Sequence, residues 1–255
     1  MKKVTLGVLM FLLLTFSVAA AVPTGDPLAG VTPGPDGKID VLTIFPHQDD
    51  ESIFVGGTML KMKRDPRVRV HILCMTMGDM TDVKDKLGLS QERMGQIRMA
   101  ELQSAAADLD ADEVIQLHYH DQGLASQDQD ALVEEVLGIV EKVGAEVLFT
   151  YGPDGMTGHI DHITLSKVVT RAWPRSSAQK LYYVSLGNGL KPFHHMLGGG
   201  APLPATMKVD VRDERKLKEL ALDAHASQRH FSSVGYAMEM MMTIRYEYFT
   251  DAGPK

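Results

Sequence analysis

The sequence predicts an α/β protein, a Rossmann-like and mainly parallel sheet with helices on both faces. Three observations carry that reading. Apolar runs of strand length alternate with segments of helical period, the pattern that builds parallel sheets through helical crossovers. The first run, Ile39–Phe45, is continuous rather than alternating, as a strand covered on both faces must be. The unusual polar clusters (47–51, Gly78-Asp79, His120-Asp121 and 154–162) all follow strands at their C-terminal ends. That is the edge where ligands bind in such sheets.

The elements follow in order. Residues 22–38 hold Pro23, Pro27, Pro33 and Pro35 and read as an extended lead-in. After the first strand, residues 52–64 fit a helix with Ile53, Met59, Leu60 and Met62 inside. Residues 68–76 form a second strand, broken by Thr76-Met77-Gly78-Asp79, and 81–89 form a polar loop over the same end. Ser90 caps a long helix to about residue 109, with Ile97, Leu102, Ala105, Ala106 and Leu109 facing the core. Residues 114–119 are a third strand. Ser126 and Gln129 have capping-box spacing before a helix that ends at Gly144. Residues 146–151 are a fourth strand, 161–173 a helix stopped by Pro174, and 181–186 a fifth strand. Residues 187–205 read as loop, 206–211 as a sixth strand, and Asp210 as the cap of a helix to about residue 226. The methionines at 238–242 read as core rather than as a copper site.

With 255 residues, 44% of them hydrophobic and 23% charged, the chain has the composition of a folded protein with a sizeable core. A net charge of −7 with no long basic run argues against nucleic acid or an anionic membrane as the main partner. The start, Met1-Lys2-Lys3 followed by an apolar stretch at 4–18 and Ala19-Ala20-Ala21, has the layout of a signal peptide. Residues 1–21 are therefore expected to be a targeting segment, with an uncleaved anchor as the alternative, and the protein to be periplasmic or extracellular. Residues 39–255 are expected to form one domain. Cys74 is the only cysteine, so no internal disulfide is available, and its apolar surroundings mark it as core.

The chemistry concentrates in two fragments, Pro46-His47-Gln48-Asp49-Asp50-Glu51 and Gly158-His159-Ile160-Asp161-His162. Two histidines and one carboxylate with an open position make a catalytic zinc site, and His47, Asp50 and His162 can supply that set. Asp49, beside a ligand, is placed to act as a general base on the attacking water. His159 lies three residues from His162 at a helix start, and a protonated His159 could stabilise an oxyanion. Together these parts suit hydrolysis of an amide or ester. Each fragment alone also reads as a solvated turn or a helix start. It is their joint presence at strand ends that favours a metal site.

Pro46-His47-Gln48-Asp49-Asp50-Glu51 followed by Gly56-Gly57-Thr58 resembles the PHPDDE…GGT signature of the PIG-L/LmbE-like deacetylases. Gly158-His159-Ile160-Asp161-His162 is similar to their later HPDH motif. Thr76-x-Gly78-Asp79, Arg98-x-x-Glu101, Asp121 and Ala224-His225-Ala226-Ser227-Gln228 extend the likeness over most of the chain. The resemblance implies a Rossmann-like fold, one zinc ion and removal of acetyl from an N-acetylglucosamine-type sugar. It implies His47, Asp50 and His162 as zinc ligands, Asp49 as base and His159 on the oxyanion side. It also implies Arg98 and Asp121 as substrate-binding residues. Gln48 stands where the family has proline, which is expected to loosen the turn. Ile160 replaces a second proline, and Thr157 stands where some sugar-deacetylating members have tyrosine.

Other readings stay open at this point. One is a metal-dependent amidase on a different N-acyl substrate; another is a non-catalytic, metal-containing carbohydrate-binding protein. A magnesium phosphohydrolase fits less well, because two histidines point towards zinc. His118 and His120 could line the pocket or be plain strand residues. His194 and His195 lie in a loop that could be a lid. His225 suits a structural or supporting hydrogen bond, and Glu51 an orienting role.

Overall fold

The computed structural model describes residues 21–187, 203–231 and 234–255. The expected targeting segment up to residue 20, and His194 and His195, lie outside the described residues. Among the described residues, no helix is long and apolar enough to cross a membrane.

The strands β1 (Ile39–Phe45), β2 (Val68–Thr76), β3 (Glu113–Tyr119), β4 (Val147–Tyr151), β5 (Lys180–Ser185), β6 (Met207–Asp210) and β7 (Tyr246–Asp251) make one sheet in the order β3-β2-β1-β4-β5-β7-β6. β1 to β5 are parallel, and β7 runs antiparallel to both β5 and β6. The mainly parallel reading therefore holds. β1 is an interior strand, between β2 and β4, and is buried along its whole length, Asp40 and Thr43 included, which explains why its apolar residues do not alternate.

The helices are α1 (Asp50–Phe54), α2 (Gly56–Met62), α3 (Val83–Lys86), α4 (Gln91–Asp108), α5 (Gln129–Val143), α6 (Ile160–Ala172), α7 (Arg215–Ala224), α8 (Ala226–Phe231) and α9 (Val234–Thr243). Two apolar cores flank the sheet. One gathers Val41, Phe45, Met59, Leu102, Leu222, Met238 and Met241; the other gathers Leu42, Leu73, Val136, Leu165 and Trp173. The alternation of strand residues between these cores is the pleat expressed in packing. Met238 and Met241 are buried, as the core reading of that stretch requires. The lead-in 22–38 is docked rather than loose: Thr24 bridges to Lys208, and Tyr182 Oη donates to the carbonyl of Pro27 at 3.2 Å.

From β1 the chain moves outward to β2 and β3 on one side, whereas β4 lies on the other. The crevice between the C-terminal ends of β1 and β4 is thus a topological switch point, the place where open α/β sheets take their ligands.

The structure differs from the sequence reading at several places. The helix expected over 52–64 is two helices broken at Val55, whose φ and ψ are −131° and −7°. The break lets α2 present Gly56 and Gly57 to close neighbours. A Cβ on Gly57 would lie 2.6 Å from Val211, and one on Gly56 3.2 Å from Leu109. The open N–H groups of Gly57 and Thr58 are taken by buried Glu247, at 2.9 and 2.8 Å, and Lys218 Nζ pairs with the same carboxylate at 2.6 Å. The cap of α5 is Asp128, not Ser126, because the Asp128 carboxylate accepts from Asp130 and Ala131. Asp210 does not cap α7; it ends β6 and pairs with Arg212 and Arg245. The loop over 81–89 contains the short helix α3. β7 was not foreseen, since its buried Glu247 interrupts an otherwise aromatic alternation. Ser90 does cap α4, accepting from Arg93 N at 3.2 Å, and Gly144 ends α5 with φ 72°.

The close approach at Gly57 gives a direct test. Gly57→Ala is expected to lower the unfolding free energy by about 1–3 kcal/mol, measured by urea denaturation, because backbone or Val211 must shift.

Candidate active site and metal centre

The turn after β1 brings Asp49, Asp50 and Glu51 underground together, and all three are buried. Asp49 has φ 105°, a left-handed conformation that costs a non-glycine residue about 1–3 kcal/mol. Such strain persists only where surroundings enforce it. Here the Asp49 N–H donates to Glu51 Oε2 at 3.3 Å, and its carboxylate accepts from Arg98 Nη2 at 2.9 Å. Arg98 Nη2 also donates to the Gln48 carbonyl. Gln48 is fully buried, with Nε2 donating to the Thr76 carbonyl at 2.7 Å. It ties the turn to β2 rather than loosening it, and Gly78, at φ 59°, leaves the space its side chain occupies.

His47, Asp50 and His162 converge across the β1/β4 crevice. His47 Nδ1 lies 3.0 Å from His162 Nε2, and Asp50 Oδ2 lies 3.7 Å from each of those nitrogens. Donors placed tetrahedrally at zinc bond lengths sit roughly 3.3 Å apart, so this triangle fits the ion. The ring tautomers agree with it. His162 Nδ1 faces the Gly155 carbonyl at 3.0 Å and Thr157 Oγ1 at 3.1 Å, so it carries the proton and leaves Nε2 as a lone pair. Burial, with His47 and His159 nearby, holds His162 well below the usual histidine pKa and therefore neutral. His47 turns its far nitrogen, Nε2, to Asp161 Oδ2 at 3.4 Å and to Asp121 Oδ1 at 3.0 Å. The Asp121 contact is at ion-pair distance, though off the line of a hydrogen bond. A carboxylate behind a ligating imidazole is the usual support for a metal-bound histidine.

The electrostatics also ask for a cation. Burial works to lower the His47 pKa, but Asp121, Asp161 and Asp50 outweigh it and push it up to about 10. Burial, reinforced by the Asp49 charge, pushes Asp50 up to about 7, although Tyr151 Oη donates to it at 2.5 Å. Positive charge placed between these groups relieves both.

Two other donor groups lie within 4.8 Å of one another: His47 with His159 and His162, and His47 with Asp121, His159 and Asp161. They fit a metal less well. His159 is the N-cap of α6, and its Nδ1 accepts the Asp161 N–H at 3.2 Å, so the neutral ring carries its proton on Nε2. Both Asp161 oxygens accept backbone N–H groups, from Gln122 at 2.6 Å and Leu124 at 3.1 Å. Burial and the neighbouring His47 lower the His159 pKa. That lowering favours the neutral ring with its proton on Nε2, the nitrogen that lies 3.7 Å from Asp121 Oδ1.

The remaining expectations divide. Arg98, expected to bind substrate, is only 3% exposed and spends its guanidinium on Asp49, Gln48 and Glu101; it holds the turn from beneath. His118 is exposed on the edge strand β3. His120 stands at the rim with Nδ1 2.6 Å from buried Asp79. His225 is fully buried against Glu51 and Ser52. Cys74 is buried and its thiol pKa is pushed well up by burial. Sequence reasoning missed Tyr151 and Asp161 as partners of Asp50 and His47. Tyr151 closes β4 at the same sheet edge as the other clusters, and Asp161 stands inside the later motif. Both were findable by the strand-end rule.

With this geometry in hand, the comparisons are specific. The family model described as PIG-L, GlcNAc-PI de-N-acetylase, matches residues 42–173, and the chain belongs to that family of deacetylases. A 1D-myo-inositol 2-acetamido-2-deoxy-alpha-D-glucopyranoside deacetylase of Rhodococcus jostii (strain RHA1) is 29% identical over 74% of this chain and 81% of its own length. A probable N-acetyl-alpha-D-glucosaminyl L-malate deacetylase 2 of Bacillus subtilis (strain 168) is 27% identical over 75% of this chain and 84% of its own. Among solved structures, the N,N'-diacetylchitobiose deacetylase of Pyrococcus horikoshii shares the fold with a TM-score of 0.65 and 21% identity, covering 89% of this chain and 85% of that one.

The donor set is testable by metal content. His162→Ala is expected to lose bound zinc, whereas Asp49→Asn is expected to retain about one ion per chain, measured by plasma emission on dialysed protein.

Proposed function

We propose that the protein is an exported, zinc-dependent hydrolase that removes the acetyl group from an N-acetylglucosamine-type amino sugar or glycan. The observation that carries it is the convergence of His47 Nδ1, Asp50 Oδ2 and His162 Nε2, with buried Asp49 next in sequence to Asp50 and the His159 ring packed against those of His47 and His162. The names of the relatives add the substrate class. They share an N-acetylated glucosamine and differ in what it is linked to. Support for export is the Lys2-Lys3 start and the apolar stretch at 4–18.

A zinc ion seated among the three donors would supply Lewis acidity to a water and to the amide oxygen. The chain's own residues do the rest. Asp49, its pKa raised by burial against the opposing pull of Arg98, takes a proton from the water as the water oxygen bonds to the acetyl carbon. His159 donates its Nε2–H to the developing oxyanion without first gaining a proton. Asp121 keeps the His47 and His159 rings aimed into the crevice. The carbon–nitrogen bond then breaks, the proton held by Asp49 passes to the departing amine, and acetate and a free amino sugar leave.

The test is acetate release from N-acetylglucosamine, its oligomers, and inositol- or malate-linked N-acetylglucosamine. The expected result is one acetate per deacetylated residue, lost on chelation and restored by zinc. The Asp49→Asn rate is expected to be lower by about a hundredfold or more. Binding without acetate release, or a near-normal rate in Asp49→Asn, would overturn the reading.

A further inference from the structure

We propose that the α7–α8 junction, His225 with Ser227 in the first turn of α8, is the positioning element of Asp49, reaching it by two separate hydrogen-bonded arms. The role rests on the reading of Asp49 as the base. The first arm starts at His225. Its Nε2 lies 3.2 Å from Ser52 Oγ and 3.4 Å from Glu51 Oε1. Ser52 Oγ donates to the same Glu51 oxygen at 2.6 Å, and the other oxygen, Oε2, accepts the Asp49 N–H. This arm grips the backbone of the base.

The second arm starts two residues later. Ser227 gives both its N–H and its hydroxyl to Glu101, at 2.7 and 2.8 Å. Glu101 accepts Arg98 Nη1 at 3.4 Å, and Arg98 Nη2 donates to Asp49 Oδ2 at 2.9 Å. This arm grips the carboxylate. His225, Ser227 and Arg98 are all buried, and their hydrogen bonds and ion pairs go to Ser52, Glu51, Glu101, Gln48 and Asp49 rather than to His47, Asp50 or His162.

Mere packing would be served by apolar side chains at these places, since a buried polar group is costly unless paired. Two polar chains that leave one helix junction and end on opposite parts of one strained residue have a different consequence. They fix where the carboxylate points while keeping every member away from the substrate. Their effect belongs in turnover, not in metal affinity or substrate affinity.

The experiment uses the zinc-loaded full chain and the variants Ser227→Ala and His225→Asn. Hydrogen exchange followed by mass spectrometry reads the peptide 46–56, which contains the Asp49 amide and the Ile53 amide bonded to the Asp49 carbonyl. Exchange there is expected to quicken about tenfold in both variants, with β4 unchanged. With N-acetylglucosamine oligomers, kcat is expected to fall about tenfold to a hundredfold at constant KM and zinc content. Ser227→Thr, which keeps the hydroxyl, restores it. In an Asp49→Asn background, Ser227→Ala has no further effect on the residual rate. Unchanged exchange in 46–56, or an equal fold-loss in both backgrounds, would overturn the proposal. If no acetylated sugar releases acetate, the deacetylase reading fails and the exchange measurement still decides the positioning role. If His225→Asn does not fold, Ser227→Ala, which removes one hydroxyl, decides it.

Discussion

Three consecutive carboxylates, Asp49, Asp50 and Glu51, are buried side by side, and most of the architecture around the site answers that constraint. An unpaired buried charge costs several kcal/mol, and like charges at neighbouring positions add to it. Each carboxylate therefore has a partner of its own from a different element. Arg98 on α4 meets Asp49, Tyr151 at the end of β4 meets Asp50, and His225 after α7 meets Glu51. The first and last can carry positive charge. Tyrosine cannot, and the positive charge near Asp50 comes instead from His47, whose Nδ1 lies 3.7 Å from Asp50 Oδ2.

The same constraint explains why two distant fragments make one site. His47 is asked to serve two sides at once. Its Nδ1 faces Asp50 and His162, and its Nε2 faces Asp121 and Asp161. Those partners come from the ends of β1, β3 and β4, strands that the parallel sheet brings together at one edge. The clustering of His and Asp at strand ends was legible in the sequence because a parallel sheet converts chain order into a shared edge.

Much of the rest was legible for a similar reason, and the exceptions are physical. Non-alternating, apolar-rich runs announced β1 and β2, and Ser90 and Gly144 announced helix ends, because each is a local preference. The break at Val55 was not local. It lies just before Gly56 and Gly57, which are packed against Leu109 and Val211 from far along the chain. The role of Arg98 was obscured likewise. An arginine one helix away from an acid can face substrate or brace the acid, and only burial separates the two. Gln48 was misjudged because proline and a buried, bonded amide stiffen a turn by different means, one through its ring and one through Thr76.

The final strand carries a further consequence. β7 is not an edge; it is laid between β5 and β6, and its Glu247 completes the start of α2, directly behind the Asp49–Glu51 turn. The seating of α2 behind the buried carboxylates therefore depends on a residue 190 positions further along the chain than Gly57. Without Glu247 the Gly57 and Thr58 N–H groups and the Lys218 ammonium would all be left facing a buried gap, so one carboxylate on β7 keeps a helix near the other end of the chain in place.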